Sequence, residues 1–554
     1  MTASDRTLPL QMLYHWAELR PDDIYLRQPR EDHWHEHSWG SVLEMAARLV
    51  SGLRRLGLKP GDKIALLSKN CAEWFICDFA LQMGGYISVP IYPTAGADTI
   101  RYVLEHSESR ALFIGKLDDP GAQEPGIPEG LIRLGMPYDT PMETHHHWDS
   151  LLMHEPMDER PVPGPDELMT LVYTSGSTGQ PKGVMITHGA YAAACRGILE
   201  TTGLNSEDRA FSYLPLAHIT ERVYVLGASL YAGAQVGFAH SLVTFVDNVK
   251  VISPTVFISV PRLWTNFRSG ILKKLPESRL ALLLRIPLVS GLVKKKIQAG
   301  LGLDKARILG CGSAPIAPSL LRWYERLDMP ITEAWGMTEN LAYSTLNYPF
   351  RSDKVGTVGR AGAGVEIRIS GEGEILCRCD GMMLGYYKNE EATEKTIREG
   401  WLHTGDQGRL DDEGYLTITG RLKDAFKTAK GKYVLPVPIE SMLIENTLIE
   451  QACVVGSGQA QPMALVQLSE HAAGQSREQL ENALSATMAQ INHSLESHQR
   501  LGGILIIDEP WTVENNILTP TLKIKRHLLE QQYGDLDQRW PKGRGIVREQ
   551  DLPE

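Results

Sequence analysis

The chain has 554 residues, of which 43% are hydrophobic and 22% are charged, a composition typical of a soluble globular protein. This length exceeds what one hydrophobic core usually supports, so two or more domains are predicted. Fifty-six basic residues against 67 acidic residues give a net charge of −11. This balance argues against a nucleic-acid-binding protein that relies on a broad basic surface, although it does not exclude a local basic pocket.

Cysteine usage and the first residues predict a cytoplasmic protein. The seven cysteines are odd in number, scattered and sparse for this length, which suits a reducing compartment. No basic start followed by an apolar core, as in a secretory signal, is visible at the beginning of the chain.

No stretch of the sequence is long and apolar enough to cross a bilayer. The nearest is "LALLLRIPLVSGLVKKK", residues 280–296, which Arg285 and Pro287 interrupt and three lysines close. It fits a buried helix with a charged end, and it also fits a patch that lies against a membrane surface. Both interpretations stay open.

Alternating strand-like and helix-like runs predict an α/β architecture. "KIALLSKN", from Lys63, is predicted to be a strand. "CAEWFICDFALQMGG" is predicted to be a helix that ends at glycine, and "ISVPIYPT" the next strand. Further strands of this kind are predicted in "RALFIGKL", "TVFISVPR" and "ARILGCGSAP".

The sequence pattern changes at about Val355. Short strand-like runs broken by glycines predict a small β-rich subdomain over about residues 350–421. After Arg421 the chain becomes mixed again, and "VPIESMLIEN" and "REQLENALSATMAQINHSLES" are predicted to be helical. A boundary at residues 422–424 is therefore predicted. It separates a large N-terminal domain, residues 1–421, from a small C-terminal domain, residues 422–554.

The stretch "LVYTSGSTGQPKGVMITH", residues 171–188, places small and polar residues between two apolar runs. A Walker phosphate loop is excluded because Pro181 precedes Lys182 and Gly183 follows it. The flanking runs predict a hairpin of strand, loop and strand, with a helix only after Thr187. The loop of this hairpin could bind an anion through its backbone N–H groups, its hydroxyl groups and the positive charge of Lys182. A solvated linker is the alternative, which the apolar runs on both sides disfavour.

This stretch resembles the phosphate-loop signature of the adenylate-forming superfamily, which comprises acyl-CoA synthetases, luciferases and the adenylation domains of peptide synthetases. Further motifs of that superfamily follow in its order: "YLPLAHITERV" (213–223), "GCGSAPI" (310–316), "EAWGMTEN" (333–340), "LHTGDQG" (402–408), "GRLKD" (420–424) and "LTPTLKIKR" (518–526). The resemblance extends from about residue 10 to about residue 529.

The resemblance implies both a fold and a reaction. The fold would have a large N-terminal domain of stacked, mostly parallel sheets with helices and a β-barrel-like subdomain, followed by a small mobile α+β domain. The reaction would join a carboxylate to ATP, with Mg²⁺, to give acyl-AMP and pyrophosphate before a thiol attacks. A carboxylate with a pKa of ~4–5 is already ionised at neutral pH, so the first step requires charge neutralisation and positioning rather than a general base.

The resemblance also implies contacts with the phosphates of ATP. The β- and γ-phosphates would be held by Thr174, Ser175, Gly176, Ser177, Thr178, Gly179 and Lys182. Thr338 would hydrogen-bond a phosphate, and Glu339 would bind Mg²⁺, which prefers oxygen ligands. The alternative for Thr338 and Glu339 is an ordinary helix start with an acidic first turn.

Adenosine contacts are implied by residues of four of these motifs. Trp335, followed by Gly336, would stack on adenine, where the superfamily usually has tyrosine or phenylalanine; a core position is the alternative. The opposite wall would consist of Gly312, Ser313, Ala314 and Pro315. Asp406 would accept hydrogen bonds from the ribose hydroxyls, or be a turn aspartate. Arg421 would help to hold ribose or phosphate, or be a surface charge.

The resemblance assigns three lysines to the C-terminal domain and its hinge. Lys523 would bridge the α-phosphate and the substrate carboxylate when this domain closes, although Lys525 and Arg526 belong to the same basic run. Lys423 would mark the hinge between the adenylation and the thioester-forming conformations. Lys427 would face the site in the second conformation.

Two stretches indicate the class of carboxylic acid that the protein would activate. "LPLAHITERV" and "ISVPRLW", residues 258–264, resemble the long-chain fatty acyl-CoA synthetase branch of the superfamily. His218 would line the acyl pocket near the carboxylate, or be a core or helix-start histidine. Trp264 would gate an acyl tunnel or pack in the core. The predicted function is a fatty acid–CoA ligase that uses ATP, Mg²⁺ and CoA, with attachment to a membrane surface left open.

Two other functions are weighed against it. The first is an acyl-AMP ligase that transfers the acyl group to the pantetheine thiol of an acyl carrier protein. The second is a non-catalytic nucleotide- or lipid-binding relative, which the presence of Lys182, Glu339, Asp406 and Lys523 opposes.

Overall fold

The computed structural model describes residues 7–31, 33–174, 180–513, 515–519 and 523–553. Within these ranges the strands are β1 (Ile24–Pro29), β2 (Trp34–Ser38), β3 (Lys63–Leu67), β4 (Ile87–Ile91), β5 (Ser109–Ile114), β6 (Ile132–Gly135), β7 (His146–His147), β8 (Leu168–Thr174), β9 (Lys182–Thr187), β10 (Arg209–Ser212), β11 (Gln235–Phe238), β12 (Val256–Ser259), β13 (Ile308–Cys311), β14 (Ile331–Trp335), β15 (Thr345–Leu346), β16 (Arg360–Ala361), β17 (Glu366–Ile369), β18 (Glu374–Arg378), β19 (Gly385–Tyr386), β20 (Ile397–Arg398), β21 (Trp401–Leu410), β22 (Leu416–Arg421), β23 (Phe426–Lys427), β24 (Tyr433–Val434), β25 (Ile449–Val455), β26 (Met463–Leu468), β27 (Gly503–Ile506) and β28 (Ile546–Arg548).

The α-helices of the same ranges are α1 (Pro9–Leu19), α2 (Trp39–Arg55), α3 (Ala72–Met83), α4 (Ala97–Ser107), α5 (Pro120–Gln123), α6 (Trp148–Leu152), α7 (His188–Thr202), α8 (Ile219–Glu221), α9 (Ala228–Ala232), α10 (Phe245–Ile252), α11 (Pro261–Lys274), α12 (Glu277–Leu284), α13 (Pro287–Leu301), α14 (Pro318–Glu325), α15 (Glu390–Thr396), α16 (Pro436–Leu443), α17 (Arg477–Ser494), α18 (Arg526–Gln532) and α19 (Leu536–Arg539). A π-helical segment, Arg222–Gly227, connects α8 to α9.

Two large sheets form most of the N-terminal part. In the described residues the first has eight strands in the order β19-β9-β8-β4-β3-β5-β6-β7, and the second has nine in the order β16-β15-β14-β13-β12-β10-β11-β1-β2. Neighbours in the middle of both sheets are parallel, because helices connect successive strands. The predicted α/β architecture with mostly parallel sheets is confirmed.

Helix α3 shows why the sequence folds this way. All twelve of its residues are buried, and the two acidic ones among them are paired, Glu73 with Arg30 and Asp78 with Arg222. It follows β3 and precedes β4, which are parallel neighbours. The predictions for "KIALLSKN", "CAEWFICDFALQMGG" and "ISVPIYPT" are therefore confirmed.

A buried ion pair ties the two sheet layers together. Arg222, in the segment that follows the nine-stranded sheet's β10, donates to Asp78 of α3 over 2.6 Å, and both side chains are fully buried. The same guanidinium donates over 2.7 Å to the hydroxyl of Thr170 on β8 of the other sheet. Because a buried charge is costly without its partner, these contacts fix where the motif "YLPLAHITERV" lies.

Most strands after residue 365 belong to two smaller sheets, whereas β19 joins the eight-stranded sheet and β23 pairs only with β24. Strands β17, β18, β20, β21 and β22 make a five-stranded antiparallel sheet, and β25 to β28 make a four-stranded one, both counted in the described residues. Helices α16 and α17 coincide with the two predicted helices. The predicted boundary at residues 422–424 falls in the turn between β22 and β23, and the domain limits stay predictions.

The C-terminal elements contact helix α11 of the N-terminal part. Arg262 pairs with Glu450 over 2.6 Å and Lys273 with Glu470 over 2.9 Å. Between them, the Ser269 hydroxyl and Nε2 of His471 are 2.6 Å apart. These contacts hold the C-terminal part in one particular orientation.

Helices α12 and α13 correspond to the long apolar stretch. Leu282 is 61% exposed, Leu288 is 88% exposed and Leu292 is 70% exposed, so the interpretation as a buried helix is wrong for this face. Over the described ranges, no helix combines the length and the apolar character needed to cross a membrane.

Candidate active site

The predicted hairpin at the glycine loop is present. β8 and β9 are antiparallel, and Thr174 lies opposite Lys182 where the loop leaves and re-enters the sheet. Helix α7 begins at His188, after the side chain of Thr187 accepts a hydrogen bond from the backbone of Ala190 over 3.2 Å. Ser175, Gly176, Ser177, Thr178 and Gly179 lie outside the described residues, so their predicted phosphate contacts stay predictions.

Tyr386 connects this hairpin with the predicted magnesium ligand. It lies on β19, which pairs with β9, and its hydroxyl donates to Oε1 of Glu339 over 2.7 Å. The ammonium of Lys182 lies 4.7 Å from the centroid of the Tyr386 ring. Burial, together with the adjacent charge of Glu339, raises the pKa of the Tyr386 phenol, so it remains a hydrogen-bond donor at neutral pH. Sequence reasoning missed this residue.

Thr338 and Glu339 lie in a short 3₁₀ turn, Thr338–Asn340, rather than at the start of an α-helix. The side chain of Glu339 is buried beside Tyr386. Gly336, just before the turn, has no room for a side chain, since a Cβ atom there would lie 2.4 Å from the carbonyl carbon of Ala342. Close packing of the backbone therefore fixes the position of the Glu339 carboxylate.

Trp335, Asp406 and Arg421 form a connected group. Nε1 of Trp335 donates to one carboxylate oxygen of Asp406 over 3.0 Å. Nε of Arg421 lies 2.9 Å from the other oxygen, because the two residues face each other on β21 and β22. The motifs "EAWGMTEN", "LHTGDQG" and "GRLKD" thus meet at one carboxylate.

An apolar cavity begins beside Trp335 and continues between α7 and the nine-stranded sheet. The empty space within it, part of which is open solvent, is about 760 Å³. Its lining includes Gly312, Ser313 and Gly336, from the predicted adenine site. The rest of the lining is mostly aliphatic and aromatic, with Ile198, Leu204, Tyr224, Val256, Ile258 and Ile308.

The predicted adenine wall follows β13. Ser313 adopts a left-handed backbone conformation with φ of 68°, which is uncommon for a residue with a side chain and concentrates at functional sites. Gly312 passes close to the neighbouring strand, where a Cβ atom would lie 3.1 Å from the carbonyl oxygen of Ala334. Ala314 and Pro315 are exposed in the turn that follows.

Lys523 reaches this group from the C-terminal part. Although part of the residue is exposed, desolvation of its ammonium lowers its pKa. The charge of Arg421 lowers it further, while Asp406 and Glu339 act in the opposite direction. The charges of Arg421, Asp406 and Glu339 in the N-terminal part thus all act on the Lys523 ammonium.

His218 is influenced by the charge of Lys523. Its ring is desolvated, which together with the charge of Lys523 lowers its pKa to about 3, so the ring is neutral at pH 7. Its Nδ1 accepts a hydrogen bond from the backbone N–H of Thr220 over 3.2 Å. His218 therefore caps the turn at α8, as the helix-start interpretation predicted, and also lies near the site.

Two residues that sequence reasoning did not single out hold the His218 loop in place. Glu221 accepts hydrogen bonds from the Ser212 hydroxyl over 2.7 Å and the Tyr213 backbone over 3.0 Å. Asn70 donates to the Leu214 carbonyl over 2.6 Å and accepts from the Leu216 backbone over 3.2 Å. Glu221 lies within the motif of residues 213–223, and this is the signal by which it could have been found, whereas Asn70 lies outside the quoted motifs.

Trp264 and Lys427 differ from the other predicted site residues. Trp264 is fully buried, and its Nε1 donates to the Gly310 carbonyl over 3.3 Å, so the structure favours the packing role. The ammonium of Lys427 lies 4.9 Å from the centroid of the Tyr433 ring in the β23–β24 hairpin. Its expected role in a second conformation stays a prediction.

The fold matches structures of proteins that bind adenylates. The anthranilate CoA ligase AuaEII in complex with anthranoyl-AMP has a TM-score of 0.78 at 22% identity, covering 96% of this chain and 98% of that one. The o-succinylbenzoate CoA synthetase MenE from Bacillus subtilis with ATP and magnesium has a TM-score of 0.72 at 22% identity, covering 94% and 99%. The chain therefore shares the fold of these two proteins.

Family models identify the chain more closely. The model of the AMP-binding enzymes matches residues 13–387, and the model of the AMP-binding enzyme C-terminal domain matches residues 423–536. The chain therefore belongs to the AMP-binding enzyme family.

Curated relatives extend over nearly the whole chain. Fatty acyl-CoA synthetase A of Dictyostelium discoideum is 31% identical, with 90% of this chain and 85% of the relative covered. The long-chain-fatty-acid–CoA ligase FadD15 of Mycobacterium bovis is 29% identical, with 93% of both chains covered.

Replacing Tyr386 tests its contact with Glu339. We expect Tyr386→Phe to raise the Kd for Mg²⁺–ATP roughly tenfold or more, because the buried carboxylate loses its donor. The Kd for AMP without magnesium should stay the same. Isothermal titration calorimetry measures both constants.

Tyr387→Phe is the matched control, since that hydroxyl donates to Glu108 at the surface over 3.1 Å. Equal losses for Mg²⁺–ATP and AMP in Tyr386→Phe would contradict a link with the magnesium ligand.

Trp335→Phe keeps an aromatic face and removes the N–H that donates to Asp406. We expect the Kd for AMP to rise roughly tenfold, because a charge-assisted hydrogen bond that orients the carboxylate is lost. Trp323→Phe is the control, because Trp323 also donates to a carboxylate, that of Glu277, over 2.8 Å. An unchanged Kd for AMP in Trp335→Phe would show that the orientation of Asp406 does not depend on Trp335.

Proposed function

We propose that this protein is an AMP-forming fatty acid–CoA ligase. It would convert a fatty acid, with ATP and Mg²⁺, to acyl-AMP and pyrophosphate, and transfer the acyl group to CoA. The observation that carries the proposal is the apolar cavity lined by Trp335, whose indole donates to Asp406. The charges of Asp406 and Glu339 also act on the ammonium of Lys523.

Asp406 and its hydrogen-bond partners would bind the adenosine group of ATP. The Asp406 carboxylate is held on both oxygens, and each oxygen retains a further lone pair for a ribose hydroxyl. Trp335 and the backbone of Gly312 and Ser313 line the same space. An adenine ring placed there would lie against an aromatic face, which is a favourable contact.

The residues around Glu339 fit a magnesium–triphosphate group. Mg²⁺ is usually bound by one or two carboxylates together with substrate phosphates, and Glu339 offers a buried carboxylate that Tyr386 orients. Bound Mg²⁺ would neutralise charge on the phosphates. Lys182, at the end of the hairpin beside Tyr386, would add a positive charge at the same place.

Lys523 is the group suited to the reacting centre. Its ammonium has a lowered pKa because it is desolvated and lies near Arg421, and a bound triphosphate would favour its protonated form. It would then hold the carboxylate and the α-phosphate together. This offsets the repulsion between two anions without any proton transfer.

His218 would contribute to positioning rather than to acid–base catalysis. Its low pKa leaves the ring neutral, so it adds no charge beside the lysine. The hydrogen bonds of Glu221 and Asn70 fix the loop that carries it. A neutral ring at this place is compatible with a carboxylate whose alkyl chain continues into the apolar cavity.

The aliphatic and aromatic lining of the cavity favours a fatty acid over a charged or amino acid, because a buried charge needs a partner. Relatives named for fatty acyl-CoA and long-chain-fatty-acid–CoA ligation support this substrate class. CoA is the acceptor in those names, and an acyl carrier protein is the competing acceptor.

A panel of acids and acceptors tests the proposal. Saturated fatty acids from medium to very long chain are incubated with Mg²⁺–ATP and either CoA or a holo-acyl carrier protein. Pyrophosphate and thioesters are measured. We expect fatty-acid-dependent pyrophosphate release, with acyl-CoA and AMP formed when CoA is present.

Absence of acyl-CoA at every chain length would overturn the proposal. Acyl-AMP that accumulates with CoA and is consumed only by the carrier would identify the acyl-AMP ligase instead.

A further inference from the structure

The hairpin of helices α12 and α13 exposes an apolar surface that no described residue covers. Four large side chains contribute to it: Leu282 (61% exposed), Ile286 (44%), Leu288 (88%) and Leu292 (70%). We call this set the hairpin tip. It spans the end of α12, the linker that contains Ile286 and the first turns of α13.

The exposed face is separate from the face that the fold uses. Leu280 is fully buried, and Leu284, Val293 and Ile297 pack partly buried against the same core cluster. On α13, Leu288 and Leu292 are four residues apart and therefore share one side of the helix. The fold thus accounts for the inner face and leaves the hairpin tip unexplained.

Charge around the hairpin tip is opposite to that of the whole chain. Residues 278–303 contain no aspartate or glutamate, although the chain has 67 acidic residues and a net charge of −11. The same stretch has five basic residues: Arg279, Arg285, Lys294, Lys295 and Lys296. Lys294 pairs with Asp328 over 2.8 Å, whereas Lys295 and Lys296 are exposed.

We propose that the hairpin tip inserts into the surface of an anionic phospholipid bilayer. Leucine and isoleucine side chains would enter the boundary between headgroups and acyl chains, while Arg279, Arg285, Lys295 and Lys296 would contact lipid phosphates. An apolar face bordered by basic residues is the pattern of interfacial membrane helices.

A second copy of this chain is the competing occupant, and charge disfavours it. Two identical hairpin tips facing each other would bring their basic residues together in a two-fold contact. An anionic bilayer instead supplies both an apolar interior and negative charge. This argument does not depend on the proposed reaction.

Vesicle flotation tests the inference with the full-length protein. Vesicles of phosphatidylcholine alone are compared with vesicles that also contain phosphatidylglycerol, at low and high salt. We expect binding to the anionic vesicles, and weaker binding at high salt because the phosphate contacts are screened.

Three variants locate the contact. Leu288→Ser with Leu292→Ser should lower the partition coefficient on anionic vesicles roughly tenfold or more. Lys295→Ala with Lys296→Ala should lower it and reduce its salt dependence. Met153→Ser, which removes an 80% exposed apolar side chain after α6, should leave it unchanged. Equal thermal midpoints would show that all variants fold, since they change exposed positions.

Lack of binding to anionic vesicles by the parent protein would overturn the inference, as would unchanged binding in the double leucine variant. Size-exclusion chromatography with light scattering gives the other decisive result. A dimer that the leucine changes convert to a monomer, without vesicle binding, would identify the hairpin tip as a contact between copies.

Discussion

The two oxygens of Asp406 hold together the parts of the chain on which the site depends. One oxygen accepts the indole N–H of Trp335, at the end of β14, and the other contacts the guanidinium of Arg421 on β22. The nine-stranded sheet and the antiparallel sheet are thereby joined beside Trp335, which lines the apolar cavity. Lys523 adds a basic group from the C-terminal part. Desolvation and Arg421 lower the pKa of its ammonium, while Asp406 and Glu339 favour the protonated form.

Much of the fold could be predicted because its signals are local. The alternation of apolar strands with helices and the strand-like runs beside the glycine loop depend on neighbours within a few residues. The pairing of Thr174 with Lys182 follows from a hairpin whose two strands are adjacent in sequence. The family resemblance then supplied roles for residues such as Asp406 and Lys523, which no local pattern assigns.

Contacts between distant residues could not be predicted in the same way. Tyr386 and Glu339 are 47 positions apart, and they meet only because the short edge strand β19 pairs with β9. Trp335 and Asp406 are 71 positions apart, and the hydrogen bond depends on how the indole is oriented. The exposure of the hairpin tip could not be predicted either, because an apolar run in a sequence does not show which face of a helix packs against the core.

The role proposed for Lys523 belongs to the first half-reaction, the formation of acyl-AMP. The most direct test compares Lys523→Ala with the parent in two separate assays. One measures single-turnover formation of acyl-AMP from fatty acid and ATP, and the other measures the CoA-dependent consumption of supplied acyl-AMP. The neighbouring Lys525→Ala serves as control, because the Lys525 ammonium contacts Asn516 in its own part of the chain.

We expect Lys523→Ala to slow acyl-AMP formation by about 10²–10³-fold, the effect of removing one preorganised electrostatic group. Consumption of supplied acyl-AMP should remain close to the parent's rate. Formation of acyl-AMP by Lys523→Ala at the parent's rate would contradict the account.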